Sequence, residues 1–110
     1  MLQLTKAAIE AVRAAAEESD AREMSLRIAA KVNQDGSIEY GMGFDEPRED
    51  DVRVRCAEDV EVVLDPQSAE LVEDAEMDYV EFEPGQFRFI FLNPLDPHYV
   101  PPTRDRKRPG

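Results

Sequence analysis

The chain has 110 residues, of which 42% are hydrophobic and 35% are charged, and its formal net charge is −12. This length allows one domain with a modest core, and the composition is that of a globular protein rather than a disordered one. The apolar runs are too short to span a bilayer, and the acidity opposes contact with a phosphate backbone. We therefore expect binding neither to membranes nor to nucleic acid.

The charge is unevenly distributed along the chain. Residues 104–110 contribute +3 to the total of −12, so residues 1–103 carry −15. Such an acidic body favours an encounter with a protein partner that presents a basic surface. Alternatively, the acidity only keeps a small protein soluble. We predict one domain over residues 1–103 and a basic, disordered tail over residues 104–110.

The N-terminal residues and the cysteine content both indicate a cytoplasmic protein. Met1 is followed almost directly by a helical pattern, without the basic region or the small-residue cleavage site of a signal peptide. Cys56 is the only cysteine, which excludes an internal disulfide and fits a reducing compartment.

The first periodic segment predicts an amphipathic helix from about Lys6 to Glu18. Thr5 is a suitable N-cap, because its hydroxyl can accept a hydrogen bond from an N–H of the first turn. The apolar residues of the segment recur with a helical period and form one face; they are Ala8, Ile9, Val12, Ala15 and Ala16.

Alternating patterns then predict a β-hairpin. Leu26, Ile28 and Ala30 form the buried face of its first strand. Residues 33–36 have turn chemistry, and residues 38–44 would return as the second strand. The two glycines of that strand, Gly41 and Gly43, predict a bulge or a close backbone crossing.

An acidic connector over residues 47–51 precedes two further strands, centred on Val54 and Val62. Asp65 followed by Pro66 predicts the start of a short second helix. The acidic pairs in and beside the connector are expected to be solvated charges rather than a general acid–base pair; they are Asp45/Glu46 and Asp50/Asp51.

Two final strands, residues 77–82 and 87–91, are joined by residues 83–86, which fit a type II turn. Alternation puts Phe87, Phe89 and Phe91 on one face, which is predicted to be core. The order of the elements predicts an α+β fold, a mixed β-sandwich with an N-terminal helix and a short second helix.

The sequence shows no motif of catalysis or of cofactor binding. It lacks a phosphate-binding glycine loop, a zinc spacing and a dinucleotide fingerprint. His98 has no serine or cysteine nucleophile in a recognisable motif around it. Glu58 and Asp59 follow Cys56, and their charges favour a structural cysteine over a redox-active thiol. We expect no enzyme activity, no catalytic residue and no cofactor.

Two loops and the segment between them carry a family resemblance. Residues 33–37 read Asn-Gln-Asp-Gly-Ser, residues 59–65 form a strand before the short helix, and residues 89–94 read Phe-Ile-Phe-Leu-Asn-Pro. In this order and spacing, they resemble the A-type iron–sulfur carrier family (HesB/IscA). The resemblance covers about residues 2–100 and implies the HesB/IscA-like fold.

The resemblance also implies where that family's metal ligands would fall. In the family, the first loop carries one cysteine and the tail carries a Cys-Gly-Cys, which supply the sulfur ligands that cluster iron requires. Laid over this sequence, the three positions fall on Asp35, Val100 and Pro102. The resemblance therefore implies a cysteine-poor member that keeps the scaffold, and we predict no metal site.

Two functions are compatible with this interpretation. The first is a non-enzymatic accessory protein that acts through protein–protein contacts. The same stretches resemble cysteine-poor homologues associated with dissimilatory sulfur oxidation, which implies a role in supporting or regulating that process. The second is a carrier of iron or of an iron–sulfur cluster through unusual ligands, for which Asp35, Cys56 and His98 are the candidates.

The proline-rich segment after residue 94 supplies the candidate partner contacts of the first function. A tail that packs back on the sheet is the alternative. The candidate contacts are Leu95, Asp96, His98, Tyr99 and Val100.

Overall fold

The computed structural model describes residues 1–97, which form two β-sheets and two helices. The predicted domain boundary, the basic tail, and His98, Tyr99, Val100 and Pro102 lie outside these residues. Neither helix has the length and apolar character of a bilayer span. The elements are β1 (Gln3–Leu4), α1 (Lys6–Glu18), β2 (Ser25–Val32), β3 (Ile38–Asp45), β4 (Val52–Ala57), β5 (Val60–Leu64), α2 (Pro66–Leu71), β6 (Glu76–Glu83) and β7 (Gln86–Leu92).

Helix α1 has the predicted bounds and the predicted N-cap. The Thr5 hydroxyl oxygen accepts a hydrogen bond from the Ala8 N–H at 3.1 Å, and the hydroxyl donates to Asp78 Oδ1 at 2.7 Å. The same side chain therefore caps the helix and ties its start to β6. Ala8 and Val12 are buried on the inner face of the helix, as the periodicity predicts.

The larger sheet has the strand order β3-β2-β5-β4. Strand β2 pairs antiparallel with β3 along its whole length and parallel with β5 over Leu26 and Arg27. The predicted inner residues of β2 are buried, and Ile28 has no exposed surface. The hairpin and its inward face are thus confirmed.

The predicted bulge or close crossing at Gly41 and Gly43 is wrong. The β2–β3 ladder runs without a register shift, and a Cβ added at either glycine would meet no atom within 4 Å. Both glycines alternate with inward-facing side chains, so they lie on the solvent face of an edge strand. The irregularity of this sheet lies in β4, between Arg55 and Ala57.

Helix α2 covers the part of β2 that β5 leaves unpaired. Asp65 caps the helix by accepting from the Ser68 N–H at 2.8 Å, and Pro66 follows as predicted. The buried Ser68 hydroxyl accepts from the Ala30 N–H at 2.9 Å and lies 3.3 Å from the Ala30 carbonyl oxygen, to which it donates. One serine thus replaces a neighbouring strand at the point where the backbone of β2 would be unsatisfied.

The smaller sheet, with the order β1-β6-β7, packs against the larger one. Tyr40 of β3 and Phe91 of β7 stack with their ring centroids 4.0 Å apart and their planes 7° from parallel. Met77 of β6 is completely buried beside them. The two sheets therefore meet through the inner faces of β3, β6 and β7, and the expected α+β architecture is confirmed.

The prediction that the phenylalanine face of β7 is core is only partly correct. Phe89 and Phe91 are partly buried against the core, but Phe87 is 49% exposed. Phe87 stacks on Tyr79 at 5.5 Å, near the outer end of the β6–β7 hairpin. The hairpin extends beyond the facing sheet, so strand alternation alone did not determine burial there.

The prediction that Asp45 and Asp51 are solvated charges is wrong, because both bind Arg27. The Arg27 Nη2 atom lies 2.7 Å from Asp51 Oδ2, and its Nε lies 2.8 Å from Asp45 Oδ2. The Asp51 side chain is only 2% exposed. Asp51 also accepts from the Arg48 N–H at 2.6 Å. The connector is thereby fixed against the outer face of β2.

This ion-pair cluster predicts an acid-dependent stability. The hydrogen bond from Arg27 lowers the pKa of Asp51 from 3.8 to about 2. The contribution of the ionised Asp51 side chain to the free energy of unfolding is complete above its ordinary pKa of 3.8. This contribution is lost as the pH falls through the native pKa of about 2. We expect Asp51→Asn to lower the free energy of unfolding at pH 7 and to have a much smaller effect near pH 2, where about half of the native carboxyl is protonated, as measured by urea denaturation.

Asp50→Asn is the matched control, because Asp50 is the exposed neighbour of Asp51. Equal losses of stability in the two variants at pH 7 would contradict the role of the Arg27 cluster.

Candidate functional site

The β2–β3 turn is closed by its own hydrogen bonds. The Gly36 N–H donates to the Asn33 carbonyl oxygen at 3.0 Å, and the Asn33 N–H donates to the Ser37 carbonyl oxygen at 2.8 Å. Gly36 has a φ of +88°, which an L residue adopts only with strain. Asp35 Oδ1 accepts from both the backbone N–H and the hydroxyl of Ser37, at 2.9 and 2.6 Å. Asp35 is therefore a turn-forming side chain.

The segment after β7 is fixed to the core by Asn93, which is 1% exposed. Its amide nitrogen donates to the Tyr40 hydroxyl at 3.0 Å and to the Leu71 carbonyl oxygen at 2.8 Å. Its side-chain oxygen accepts from the Leu95 N–H at 3.1 Å. Burial raises the pKa of Tyr40, so the phenol keeps its proton. One amide thus joins β3, the end of α2 and the C-terminal segment.

This anchor brings the C-terminal segment beside the β2–β3 turn. Asp96 Oδ2 lies 3.4 Å from the Ile38 N–H, and Pro97 Cγ lies 3.8 Å from the position that a Cβ on Gly36 would occupy. The chain therefore reaches residue 97 next to the turn that contains Asp35. Leu95 is 59% exposed on the outside of this segment, where it is accessible to a partner.

Cys56 lies at the other end of the larger sheet. It is half-buried in β4 beside the register shift, level with the start of β2, whereas Asp35 follows the end of β2. The strand rise puts roughly 20 Å between the two levels. Burial raises the pKa of the Cys56 thiol, which disfavours the reactive thiolate. Asp35 and Cys56 cannot bind one metal ion together.

In the part of the chain that the structure describes, the donor atoms near the turn do not fit an iron–sulfur cluster. A carboxylate offers a hard oxygen, whereas cluster iron is held almost always by thiolate sulfur, and Asp35 Oδ1 already accepts two hydrogen bonds. Among residues 1–97, no three His, Cys, Asp or Glu side chains are grouped so that they could hold a metal ion. The assignment of family cysteine positions to Asp35, Val100 and Pro102 stays a prediction.

The hairpin turn, the anchored C-terminal segment and the two packed sheets define an IscA/SufA-like fold. The crystal structure of IscA with a [2Fe–2S] cluster superposes with a TM-score of 0.70 at 26% identity, over 86% of each chain. Escherichia coli SufA gives a TM-score of 0.67 at 24% identity, over 84% of this chain and 80% of that one. The fold expected from the sequence is thereby confirmed.

Sequence similarity places the chain within the same family. No protein-family model matches it. The chain is 33% identical over 93 residues to the iron–sulfur cluster insertion protein ErpA of Xylella fastidiosa (strain M12), covering 84% of this chain and 72% of that protein. It is 32% identical over 93 residues to ErpA of Pseudomonas fluorescens (strain Pf0-1), covering 84% and 79%. The chain belongs to the A-type iron–sulfur cluster insertion family.

The Asn93 anchor gives a prediction about stability. Asn93→Ala leaves the part-buried Leu71 carbonyl oxygen and the Leu95 N–H without their partner, which we expect to cost about 2–4 kcal/mol in the free energy of unfolding. Tyr40→Phe removes one hydroxyl and keeps the stacked ring, so we expect a loss of about 1 kcal/mol. Urea denaturation of both variants measures the difference, and equal losses would show that Asn93 is not the main anchor.

Proposed function

We propose that this protein is a non-enzymatic member of the A-type carrier family that works through protein–protein contacts instead of handing on a cluster. The observation that supports this proposal is the hydrogen bonding of the Asp35 carboxylate within its own turn. At the position that the resemblance assigns to a family cysteine, the chain has a carboxylate that is bound within its own turn. The scaffold around that turn is otherwise intact.

The setting of sulfur oxidation is the more specific part of the proposal. The chain resembles DsrR, the cysteine-poor A-type homologue associated with dissimilatory sulfur oxidation. The resemblance includes residues 35–38 (Asp-Gly-Ser-Ile) and residues 83–87 (Glu-Pro-Gly-Gln-Phe). We propose that the protein supports or regulates this process as an accessory component.

The proposed contact surface is the α2–tail surface, defined by Glu70, Glu73, Asp74, Leu95 and Asp96. The Asn93 amide places residues 93–97 against the end of α2 through the Leu71 carbonyl oxygen. Glu70, Glu73, Asp74 and Leu95 are all exposed, and Glu73 also binds the N-terminal ammonium group at 3.1 Å. An exposed leucine on the same surface as several carboxylates suits a partner with a basic surface and an apolar pocket.

Partner capture tests this surface. We expect immobilised protein to retain a partner from a lysate of sulfur-oxidising cells at low salt and to release it at high salt, because exposed charges are screened. A Glu70→Lys/Asp74→Lys variant should lose the partner. The control is Glu23→Lys/Glu49→Lys, which reverses two exposed charges in loops away from α2. Capture that ignores both salt and the α2 substitutions would contradict the proposed surface.

The second candidate function is that of a cluster carrier with unusual ligands. The observation that favours it is the description of the relatives, since ErpA is named an iron–sulfur cluster insertion protein and the matched IscA structure contains a [2Fe–2S] cluster. For this chain, such a function needs ligands other than cysteine at the positions that the resemblance assigns. Introducing cysteines at the three positions that the resemblance assigns distinguishes between the two candidate functions.

We expect the native protein to take up no cluster during anaerobic reconstitution with iron and sulfide. The triple variant Asp35→Cys/Val100→Cys/Pro102→Cys should gain the visible absorption of a cluster, because it restores thiolates on an intact scaffold. Asp35→Cys alone is the control for a single added thiol. Stable, stoichiometric iron in the native protein that Asp35→Ala removes would contradict the first function and support the second.

A further inference from the structure

The two sheets separate away from the Tyr40–Phe91 stack. Met42 and Phe44 follow Tyr40 at alternate positions of β3, and Phe89 precedes Phe91 on β7, so these side chains point toward the space between the sheets. At the stack the rings are in contact, but Met42 is 40% exposed and Phe89 is only partly buried. Inward-facing side chains on two edge strands are therefore open to solvent.

This separation creates an apolar groove, which we name the β3–β7 groove. Its floor is a cavity of about 160 Å³ between α1 and the two edge strands, lined mainly by Val12, Ala15, Leu26, Met42, Phe44 and Phe89. A second cavity, of about 460 Å³, continues it between Met42 and the edge of β7. A third, of about 450 Å³, shares Val12, Leu26 and Phe44 with the floor and extends along α1 past Met24 toward the start of β5. The groove is thus long enough for several side chains of a bound segment.

The side chains of the groove suit an adaptable apolar contact. Met24 and Met42 are 46% and 40% exposed at successive points along it. Methionine is flexible and polarisable, and it is over-represented on surfaces that accept varied apolar side chains. Val12, which is buried, and Phe44, which is partly buried, form the floor below them. Large apolar anchors are therefore the groups that this groove would bury most favourably.

The charges on the α1 wall of the groove determine which charged residues are favoured beside the apolar side chains of a bound segment. Arg13 binds Asp59 in a bidentate pair, with Nε 2.8 Å from Oδ2 and Nη2 2.8 Å from Oδ1. Glu10 and Glu17 lie seven positions apart on the same side of α1, and within residues 1–97 neither forms a salt bridge. Arg22 lines the same part of the groove, so four acidic side chains (Glu10, Glu17, Asp59 and Glu61) face two basic ones (Arg13 and Arg22) and the lining has a net charge of −2.

We infer that the β3–β7 groove docks a short segment of a partner protein in which large apolar side chains are flanked by lysine or arginine. The apolar lining provides the binding energy, and the α1 carboxylates favour basic flanks over acidic ones. This site is separate from the α2–tail surface, and it does not depend on whether the protein carries a cluster.

Binding of synthetic peptides tests this inference. The probe is a fluorescein-labelled amphipathic peptide of leucine and lysine, compared with a lysine–serine peptide of equal charge and with a leucine–glutamate peptide. We expect the leucine–lysine peptide to bind at least tenfold more tightly than either of the others, as measured by fluorescence anisotropy. If the lysine–serine peptide binds equally well, the interaction is only a general attraction between a basic peptide and an acidic protein. This result would overturn the inference.

A pair of variants assigns the binding to the groove. Met42→Lys places a cation inside it and should weaken binding of the leucine–lysine peptide at least tenfold. Val52→Lys adds the same charge at an equally exposed position, also 40%, on β4 at the opposite edge of the same sheet. Val52→Lys should retain most of the affinity for the leucine–lysine peptide. Circular dichroism and thermal melting of both variants separate lost binding from lost folding, and equal weakening by the two substitutions would overturn the inference.

Two other occupants of the groove have distinct outcomes in the same experiments. If Met42→Lys, and not Val52→Lys, converts a dimer to a monomer in sedimentation, the groove is filled by a second copy of the chain. If deletion of residues 98–110 strengthens peptide binding severalfold, the chain's own C-terminal residues fill it. Either result would overturn docking of a partner segment.

Discussion

The buried amide of Asn93 is the constraint on which the arrangement of the candidate site depends. It binds Tyr40 of β3, the carbonyl oxygen of Leu71 at the end of α2, and the backbone of Leu95. Tyr40 in turn stacks on Phe91 and joins the two sheets. Without this amide, nothing in the pattern of strands would bring residues 93–97 beside the turn that contains Asp35. One polar group therefore connects the packing of the sheets with the geometry of the site.

Under the proposed function, this chain keeps the scaffold of the family without its ligand chemistry. Packing of the two sheets needs apolar side chains in alternation, and the turn needs a glycine with positive φ, which is Gly36. Neither requirement involves sulfur, so cysteine positions can change without loss of the fold. The turn to which the resemblance assigns a family cysteine binds Asp35 to Ser37.

The sequence predicted the local structure well and the long-range contacts poorly. The bounds of α1, the caps at Thr5 and Asp65, and the turn at Gly36 all depend on neighbouring residues, and each is confirmed. The Arg27–Asp51 pair joins residues 24 positions apart and could not be read from a local pattern. The exposure of Phe87 depends on where the facing sheet ends. The β3–β7 groove also could not be predicted from a local pattern, because it arises from the separation of two sheets.

The central claim is that this chain keeps the scaffold of cluster insertion proteins without the cluster. It is tested most directly by the iron and acid-labile sulfide content of the protein isolated anaerobically from its own cells. We expect neither iron nor sulfide in stoichiometric amounts. Stoichiometric iron and sulfide that remain bound through gel filtration, and that are lost in Asp35→Ala, would contradict it.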